Sequence, residues 1–363
     1  MSTDENFNLD SKRVEEAIEQ EYDTVYNEVQ EKLDQNLVIT FLGTASSGKT
    51  SAIKALFDVD LGDISPIAGS TKNVKIIPIT DHVYIADAPG FGDIQNEVSQ
   101  KAKEICDKTD IFIYIINAEG GYKQQEKEDY ENLISKNENV LVVLNKIDLI
   151  REEEKEVFIS DIKEKMHVDD ENFIVASFNP LPQIYEEPIN VDMVRDWILN
   201  RLEKKGKELL LIKIVRGKDK IVDKWILGAS ISAAAIGLLP IPGSDIIPLT
   251  SLQIGLILKI AHIYGYDISK EKAKALITAT LSGQIGKTVF RQIVKIIPGL
   301  GSMAGATVAG IFTFAIGKTM QKYFKSGMSI PIEDLGKMAN KYIKEAQKHK
   351  NEFKNAKKKL DNN

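Results

Sequence analysis

The sequence predicts an α/β domain with a mainly parallel sheet and helices on both faces, followed by an all-α domain. Between residues 37 and 205, short runs rich in β-branched side chains alternate with polar stretches of helical length. After about residue 221 the composition changes to Gly, Ala and Ser with scattered Leu, Ile and Phe, which favours closely packed helices. At 363 residues the chain is long enough for two such domains.

The first region, residues 1–36, is predicted to be an amphipathic helix. Apolar residues spaced by three or four form one stripe over residues 11–34, and Glu, Gln and Asp occupy most other positions. We expect this stripe to pack against the C-terminal helices. Its members are Val14, Ile18, Tyr22, Val25, Val29 and Leu33.

The second region, residues 37–205, is the predicted α/β domain. Its last helix is predicted over Val191–Lys205, after a proline-containing loop. A run that is apolar at every position indicates a strand buried on both faces. The six predicted strands are Leu37–Leu42, Val74–Ile79, Val83–Ala86, Ile111–Ile116, Val140–Leu144 and Phe173–Ala176.

Three further regions follow: a basic connector (206–220), a Gly/Ala-rich hydrophobic helical domain (221–330) and a lysine-rich C-terminal helix (331–363). Trp225–Pro242 and Gly299–Gly317 carry no charge and approach the roughly 20 residues that cross a bilayer. Three interpretations stay open: stable spanning, reversible insertion or surface binding, and a bundle that never meets a membrane.

Charge is divided unevenly along the chain. Residues 1–200 carry 19 basic and 41 acidic side chains, a net of −22, whereas residues 201–363 carry 28 and 12, a net of +16. The basic part therefore faces either an anionic partner or the acidic part of the same chain. The single cysteine, Cys106, excludes an internal disulfide, and the polar start shows no secretory signal, so we expect a cytoplasmic setting.

A phosphate-binding loop is predicted directly after the first strand. Residues 43–50 read GTASSGKT and match G-x-x-x-x-G-K-[ST] between a hydrophobic strand and a helix. Backbone amides of such a loop point inward at phosphates, and the helix N-terminus adds its positive end. The predicted nucleotide-binding residues here are Gly43, Ser46, Ser47, Gly48, Lys49, Thr50 and Ser51.

Magnesium and switch residues are predicted around the next strands. Asp87 begins a D-x-x-G element that ends at Gly90, and we expect Asp87, Thr50 and Thr71 to hold Mg²⁺, with Ser70 as the alternative to Thr71. The predicted catalytic residues are Lys49, Thr71 and Gly90. Phe91 follows Gly90, and a phenyl ring cannot orient water. Hydrolysis then needs another group, a monovalent cation or a second protomer, and we expect slow turnover by a monomer.

Guanine specificity is predicted from Asn145-Lys146-Ile147-Asp148, which follows the fifth strand. The Asp148 carboxylate can accept two hydrogen bonds from guanine that adenine cannot offer, so discrimination can be large. Lys146 would pack on the base and Asn145 would tie this loop to the phosphate loop. Ser177, after the last strand, is also predicted to contact the base.

These motifs, in this order, resemble the translation-factor-related class of P-loop GTPases. Gly69-Ser70-Thr71-Lys72 and Phe91 resemble the Era type, whereas Ser46 stands where Era has Asn and is closer to the dynamin pattern. Residues 221–325, with the core IGLLPIPGSDIIPLTSLQIGL, resemble an uncharacterised helical domain of bacterial GTPases and inner-membrane proteins. The resemblance implies a bacterial or archaeal GTPase with a membrane-linked or self-associating helical part, and Mg²⁺ and a monovalent cation are the candidate cofactors.

Two functions follow as alternatives. The first is a GTP-hydrolysing switch or mechanoenzyme of dynamin-like or Era-like type at the inner face of the cell membrane, with an anionic membrane as partner and a homodimer through the G domain. The second is a soluble regulatory GTPase whose helical domain binds a protein or RNA; nucleic acid is the less favoured partner.

Overall fold

The computed structural model describes residues 3–44, 46–57, 75–88, 107–183, 185–237, 246–296 and 302–356. Two compact units emerge: Lys32–Arg216, and a second unit that joins Met1–Glu31 to Gly217–Asn363. The predicted regions 1–36 and 37–205 correspond broadly to separate units, but the second unit draws on both ends of the chain.

The first unit, Lys32–Arg216, is the predicted α/β domain. In the part of this unit that the structure describes, six strands lie in the order β2-β3-β1-β4-β5-β6, and β2 runs antiparallel to its neighbour whereas the other pairs are parallel. Strands β1, β4 and β5 are almost wholly buried, because their unbroken apolar runs let helices cover both faces. The strands are β1 Leu37–Leu42, β2 Lys75–Pro78, β3 Val83–Ala88, β4 Ile111–Asn117, β5 Val140–Asn145 and β6 Phe173–Val175.

Along the chain, the described helices of this unit lie between the strands or after the last strand. They are α2 Lys49–Leu56, α3 Gln124–Ile134, α4 Glu152–Met166, α5 Val191–Lys205 and α6 Glu208–Ile212. Helix α6 corrects the predicted connector 206–220, because four of its five residues are apolar and all five are buried in this unit. The Lys207 ammonium beside it donates to Asp110 Oδ1 at 2.7 Å. The basic stretch is therefore part of a folded domain, and α/β structure extends to Arg216.

The second unit is all-α. It contains α1 Thr3–Leu33 (as far as Glu31), α7 Lys218–Ile236, α8 Ile246–Ile263, α9 Lys270–Leu281, α10 Gln284–Ile296, α11 Ser302–Lys325, α12 Ile332–Ala346 and α13 Lys350–Lys354. The glycines in this unit allow close packing between helices. A Cβ added at Gly317 of α11 would lie 2.9 Å from the Ile226 side chain of α7, and one at Gly305 would lie 2.8 Å from the Gly237 carbonyl oxygen. Glycine thus lets α7 and α11 approach closely.

The predicted packing of the N-terminal helix against C-terminal helices is confirmed. Tyr22 is fully buried, and its hydroxyl donates to the Lys270 carbonyl at 2.7 Å. Val25 lies beside Gly255 of α8, where an added Cβ would be 3.6 Å from Val25 Cγ1.

Membrane-spanning potential lies elsewhere than predicted. Within the described residues, α8 alone is long and apolar enough to cross a bilayer, with a mean hydropathy of 1.7 over 18 residues, half of them buried. The two segments singled out from the sequence do not meet that standard as described: α7 begins with charged residues, and α11 ends with them. Pro242 and Gly299 lie outside the described residues.

Candidate nucleotide-binding site

The predicted site residues converge at one edge of the sheet. The phosphate loop follows β1, Asp87 lies near the end of β3, Asn145 ends β5, and Ser177 follows β6. These strands are parallel, so their carboxyl ends meet at the same edge, where open α/β sheets bind ligands.

Two positions of the phosphate loop have backbone angles that glycine adopts more easily than other residues. Gly43 has φ of 143° and Gly48 has φ of 100°, both in the region that favours glycine. A Cβ at Gly43 would lie 2.2 Å from the Ile115 carbonyl oxygen, and one at Gly48 would lie 2.2 Å from Asn145 Nδ2. Ser46 is also left-handed, with φ of 64°. The two glycines are therefore fixed by close approach to β4 and β5.

Lys49 begins α2 and turns back over the loop. Its ammonium donates to the carbonyls of Gly43 at 2.7 Å and Thr44 at 3.2 Å, and lies 4.0 Å from Asp87 Oδ1. Burial lowers the pKa of Lys49, and the nearby Asp87 carboxylate opposes that shift. Burial likewise raises the pKa of Asp87, against the effect of Lys49 and Lys75. Burial therefore disfavours the charged forms of Lys49 and Asp87 more than their mutual attraction favours them.

Unpartnered polar atoms test whether the site suits a metal-bound phosphate. Within the described part of the chain, Asp87 Oδ1 and Ser47 Oγ are buried and have no hydrogen-bond partner. A buried carboxylate oxygen without a donor suits a hydrated cation, and a buried hydroxyl suits a phosphate oxygen. Mg²⁺ in nucleotide sites is held by one or two protein oxygens plus phosphates, so the arrangement fits. Thr50 and Ser51 follow in the first turn of α2, where Thr50 is exposed.

The guanine-specificity loop is joined to the phosphate loop by Asn145. Its Nδ2 donates to the Ser47 carbonyl at 2.7 Å, and its Oδ1 accepts from the Phe178 amide at 3.2 Å. Asn145 is 2% exposed. One side chain therefore connects three loops, as predicted for the contact with the phosphate loop.

Asp148 is held from two directions. The Ser177 hydroxyl donates to Asp148 Oδ1 at 2.5 Å, and the Leu181 amide donates to Oδ2 at 3.0 Å. Each carboxylate oxygen keeps a second lone pair that can accept a further hydrogen bond. Sequence reasoning placed Ser177 at the base but did not foresee its bond to Asp148, and nothing in the sequence marks Leu181.

Lys146 combines an unusual backbone angle with a side-chain ion pair. Its φ of 66° is left-handed, and its ammonium lies 3.8 Å from Glu119 Oε2, in the turn after β4. Glu119 was not predicted, because a single Glu in a Gly-rich turn carries no signal.

Several predicted residues fall outside the described residues: the switch positions Ser70 and Thr71, and Gly90 with the adjacent Phe91. Their roles, and the roles of the described residues toward nucleotide and metal, stay predictions.

The sheet order, the phosphate loop and the Asn145–Asp148 loop define a P-loop GTPase domain. Residues 38–146 match the family described as 50S ribosome-binding GTPase, and residues 199–350 match a domain family of unknown function, DUF697. The chain therefore contains a region similar to P-loop GTPases, followed by a region similar to the second family.

Curated relatives match about a third of this chain. Magnetosome membrane protein 22 of Magnetospirillum gryphiswaldense is 28% identical over 31% of this chain and 63% of its own length. GTPase Era of Aquifex aeolicus is 29% identical over 31% of this chain and 41% of its own length. The chain thus spans less than two thirds of either relative. Among solved structures, a probable GTP-binding protein EngB is 20% identical over 46% of this chain and 99% of that one, with a TM-score of 0.34, too low to support an argument.

Proposed function

We propose that this protein is a GTP-hydrolysing switch that acts at an anionic membrane surface. The observation that carries the nucleotide part is Asp148, whose two oxygens are positioned by Ser177 and Leu181. Asn145 links that carboxylate's loop to the phosphate loop. Guanine recognition and phosphate binding are thereby coupled through one buried side chain.

The proposed roles follow from position. Lys49 would leave its carbonyl partners for the β- and γ-phosphates, and Thr50 and Asp87 would hold Mg²⁺. Bound Mg²⁺ neutralises charge on the phosphates during transfer. Thr71 and Gly90 would close on the γ-phosphate. Because Phe91 cannot orient water, the proposal requires another group, a monovalent cation or a second protomer to complete the site.

A pair of switch variants tests this assignment. Thr71→Ala should preserve GTP binding and reduce turnover, because only the closed switch would be lost. Phe91→Ala should leave turnover nearly unchanged in a protein with unaltered stability. If Phe91→Ala lowers kcat as much as Thr71→Ala, the assignment is wrong. Turnover per molecule that rises with protein concentration would support completion by a second protomer.

The membrane part is supported by a lysine face on α12. Three exposed lysines of α12, at spacings of four and three residues, and a fourth exposed lysine in the turn after it lie on the side opposite the buried residues of the helix; the first of them, Lys337, is paired with Asp334 at 3.0 Å. A row of cations on one face suits an anionic surface, since each contributes about 1 kcal/mol near such a membrane. They are Lys337, Lys341, Lys344 and Lys348.

Two further observations support the same partner. Helix α8 is apolar and long enough to enter a bilayer. One relative of the GTPase domain is named as a membrane protein of magnetosomes. The lysine face and half-buried α8 also suit the second candidate, a GTPase whose helical domain binds an acidic protein or RNA.

Flotation with vesicles separates the two candidates. The full chain should float with phosphatidylglycerol-containing vesicles at low salt, and the fraction bound should differ between a GTP analogue and GDP. Lys344→Glu/Lys348→Glu should reduce flotation strongly. Lys136→Glu/Lys204→Glu, which changes net charge equally at exposed lysines of the GTPase unit, should not. Equal loss in both variants, or no flotation, would contradict a membrane role and favour the second candidate.

A further inference from the structure

Helix α1 is docked on α8 and α9 by large side chains. Most of its apolar stripe is buried, and the Tyr22 hydroxyl donates to the Lys270 carbonyl of α9. Ser251 of α8 donates to Glu21 at 3.1 Å, and Gly255 of α8 lies beside Val25. The buried stripe consists of Ala17, Ile18, Tyr22, Val25 and Val29. Helix α1 therefore covers one face of the helix that could enter a bilayer.

Two lysines of α9 form ion pairs with carboxylates of α1. Lys274 lies 2.7 Å from Glu19, and Lys270 lies 3.0 Å from Asp23. The same ammonium groups lie over aromatic rings of α1, with Lys274 5.8 Å from the centre of the Tyr22 ring. Both carboxylates are largely exposed, so salt and competing anions reach these pairs.

The contact between α7 and α11 in the same unit is of a different kind. Helices α7 and α11 approach through glycine, at Gly237 against Gly305 and at Gly317 against Ile226. Separating them would leave closely fitted backbones without partners. Helix α1 instead contributes side chains that lie on an existing surface, so it can leave while α7 and α11 stay packed.

The negative net charge of α1 favours its release at an anionic membrane. Residues 1–31 carry ten acidic and two basic side chains, so such a surface repels them. The lysines beneath carry the opposite charge and suit lipid phosphates. The apolar face of α8 would exchange its contact with α1 for contact with the bilayer.

We propose that the face of α8 and α9 beneath α1 is a binding surface for anionic bilayers, and that α1 is its removable cover. This inference rests on the proposed membrane function and adds a second contact surface to the lysine face of α12. Anionic headgroups compete with Glu19 and Asp23 for Lys274 and Lys270. The bilayer then replaces the α1 stripe on α8.

Cross-linking tests the cover in the full chain. Cys106→Ser removes the single cysteine, and Glu19→Cys/Lys274→Cys then places two thiols across the α1–α9 contact. A short bis-maleimide locks α1 in place. The matched control is Asp223→Cys/Lys318→Cys, across a 2.8 Å contact between α7 and α11, which stay together in this scheme. Both proteins are floated with phosphatidylglycerol vesicles before and after cross-linking.

The two locks should behave differently. The α1–α9 lock should reduce the bound fraction at least tenfold, and the α7–α11 lock should leave it unchanged. Before cross-linking, Glu19→Cys/Lys274→Cys lacks one lysine of the proposed surface as well as the carboxylate that covers it, so its own bound fraction is the reference for its cross-linked form. If the α1–α9 lock floats as well as the control, the cover is refuted while the membrane function stands. If the parent itself does not float, both proposals are wrong.

Discussion

Replacing Asn145 with alanine should uncouple the two halves of the nucleotide site. The change removes the donor to the Ser47 carbonyl and the acceptor of the Phe178 amide, at a position only 2% exposed. A buried polar group left without a partner costs about 1–3 kcal/mol. With two such groups, we expect the free energy of unfolding of the GTPase unit to fall by about 2–5 kcal/mol. GTP affinity should fall as well, because the phosphate loop loses its tie to the guanine loop.

A matched asparagine lies at the opposite end of β5. Asn137 Nδ2 donates to the Thr109 carbonyl at 2.9 Å, and Asn137 Oδ1 accepts from the Asn139 amide at 2.8 Å. Asn137→Ala therefore removes the same two types of bond away from the site. Because Asn137 is only half-buried, the cost should be smaller, about 1–2 kcal/mol.

Urea unfolding and titration of a fluorescent GTP analogue measure both effects. Asn145→Ala should weaken binding at least tenfold, measured in urea-free buffer where the variant is folded, and Asn137→Ala should bind like wild type. Wild-type affinity in folded Asn145→Ala would refute the coupling. Equal loss of affinity in both variants would show that stability alone, and not the tie between loops, controls binding.

Three further changes give separate predictions. Asp148→Asn should shift preference from guanine toward xanthine nucleotides in a competition titration, because the amide offers a donor where the carboxylate accepted; comparable affinities of the wild type for GTP and ATP would contradict the role of Asp148. Asp87→Asn should weaken Mg²⁺-dependent GTP binding. Because burial raises the pKa of Asp87, the nucleotide-free protein should lose stability as pH rises from the ordinary carboxylate value through the raised one, and urea unfolding across pH should show this dependence reduced in Asp87→Asn. Gly310→Ala places a Cβ 2.7 Å from the Phe353 ring, so it should destabilise the helical unit by about 1–3 kcal/mol and leave GTP affinity unchanged; an unaltered melting profile would show that α13 yields easily.

Much of the GTPase domain could be predicted from local sequence. Leu37–Leu42 and Val191–Lys205 agree residue for residue with β1 and α5. The nucleotide motifs are readable because each is a short contiguous segment whose geometry depends on its own glycines and on the strand before it. Gly43 and Gly48 show this dependence, since their backbone angles exclude most other residues.

Tertiary contacts decided what local pattern could not. Residues 206–220 were predicted to be a basic connector, yet Leu209–Ile212 is buried in helix α6, which the charge count around it concealed. The uncharged stretches suggested bilayer spans, yet their glycines serve close helix contacts, and α8 is the helix whose composition suits a membrane.

The sequence by itself determined the nucleotide class, the order of the strands along the chain and the amphipathic character of the first helix. Only the tertiary structure decided that Ser177 and Leu181 position Asp148, and that α1 covers α8. The physical reason is distance along the chain. Tyr22 and Lys270 are 248 residues apart and meet only after folding, whereas the phosphate loop is complete within eight consecutive residues.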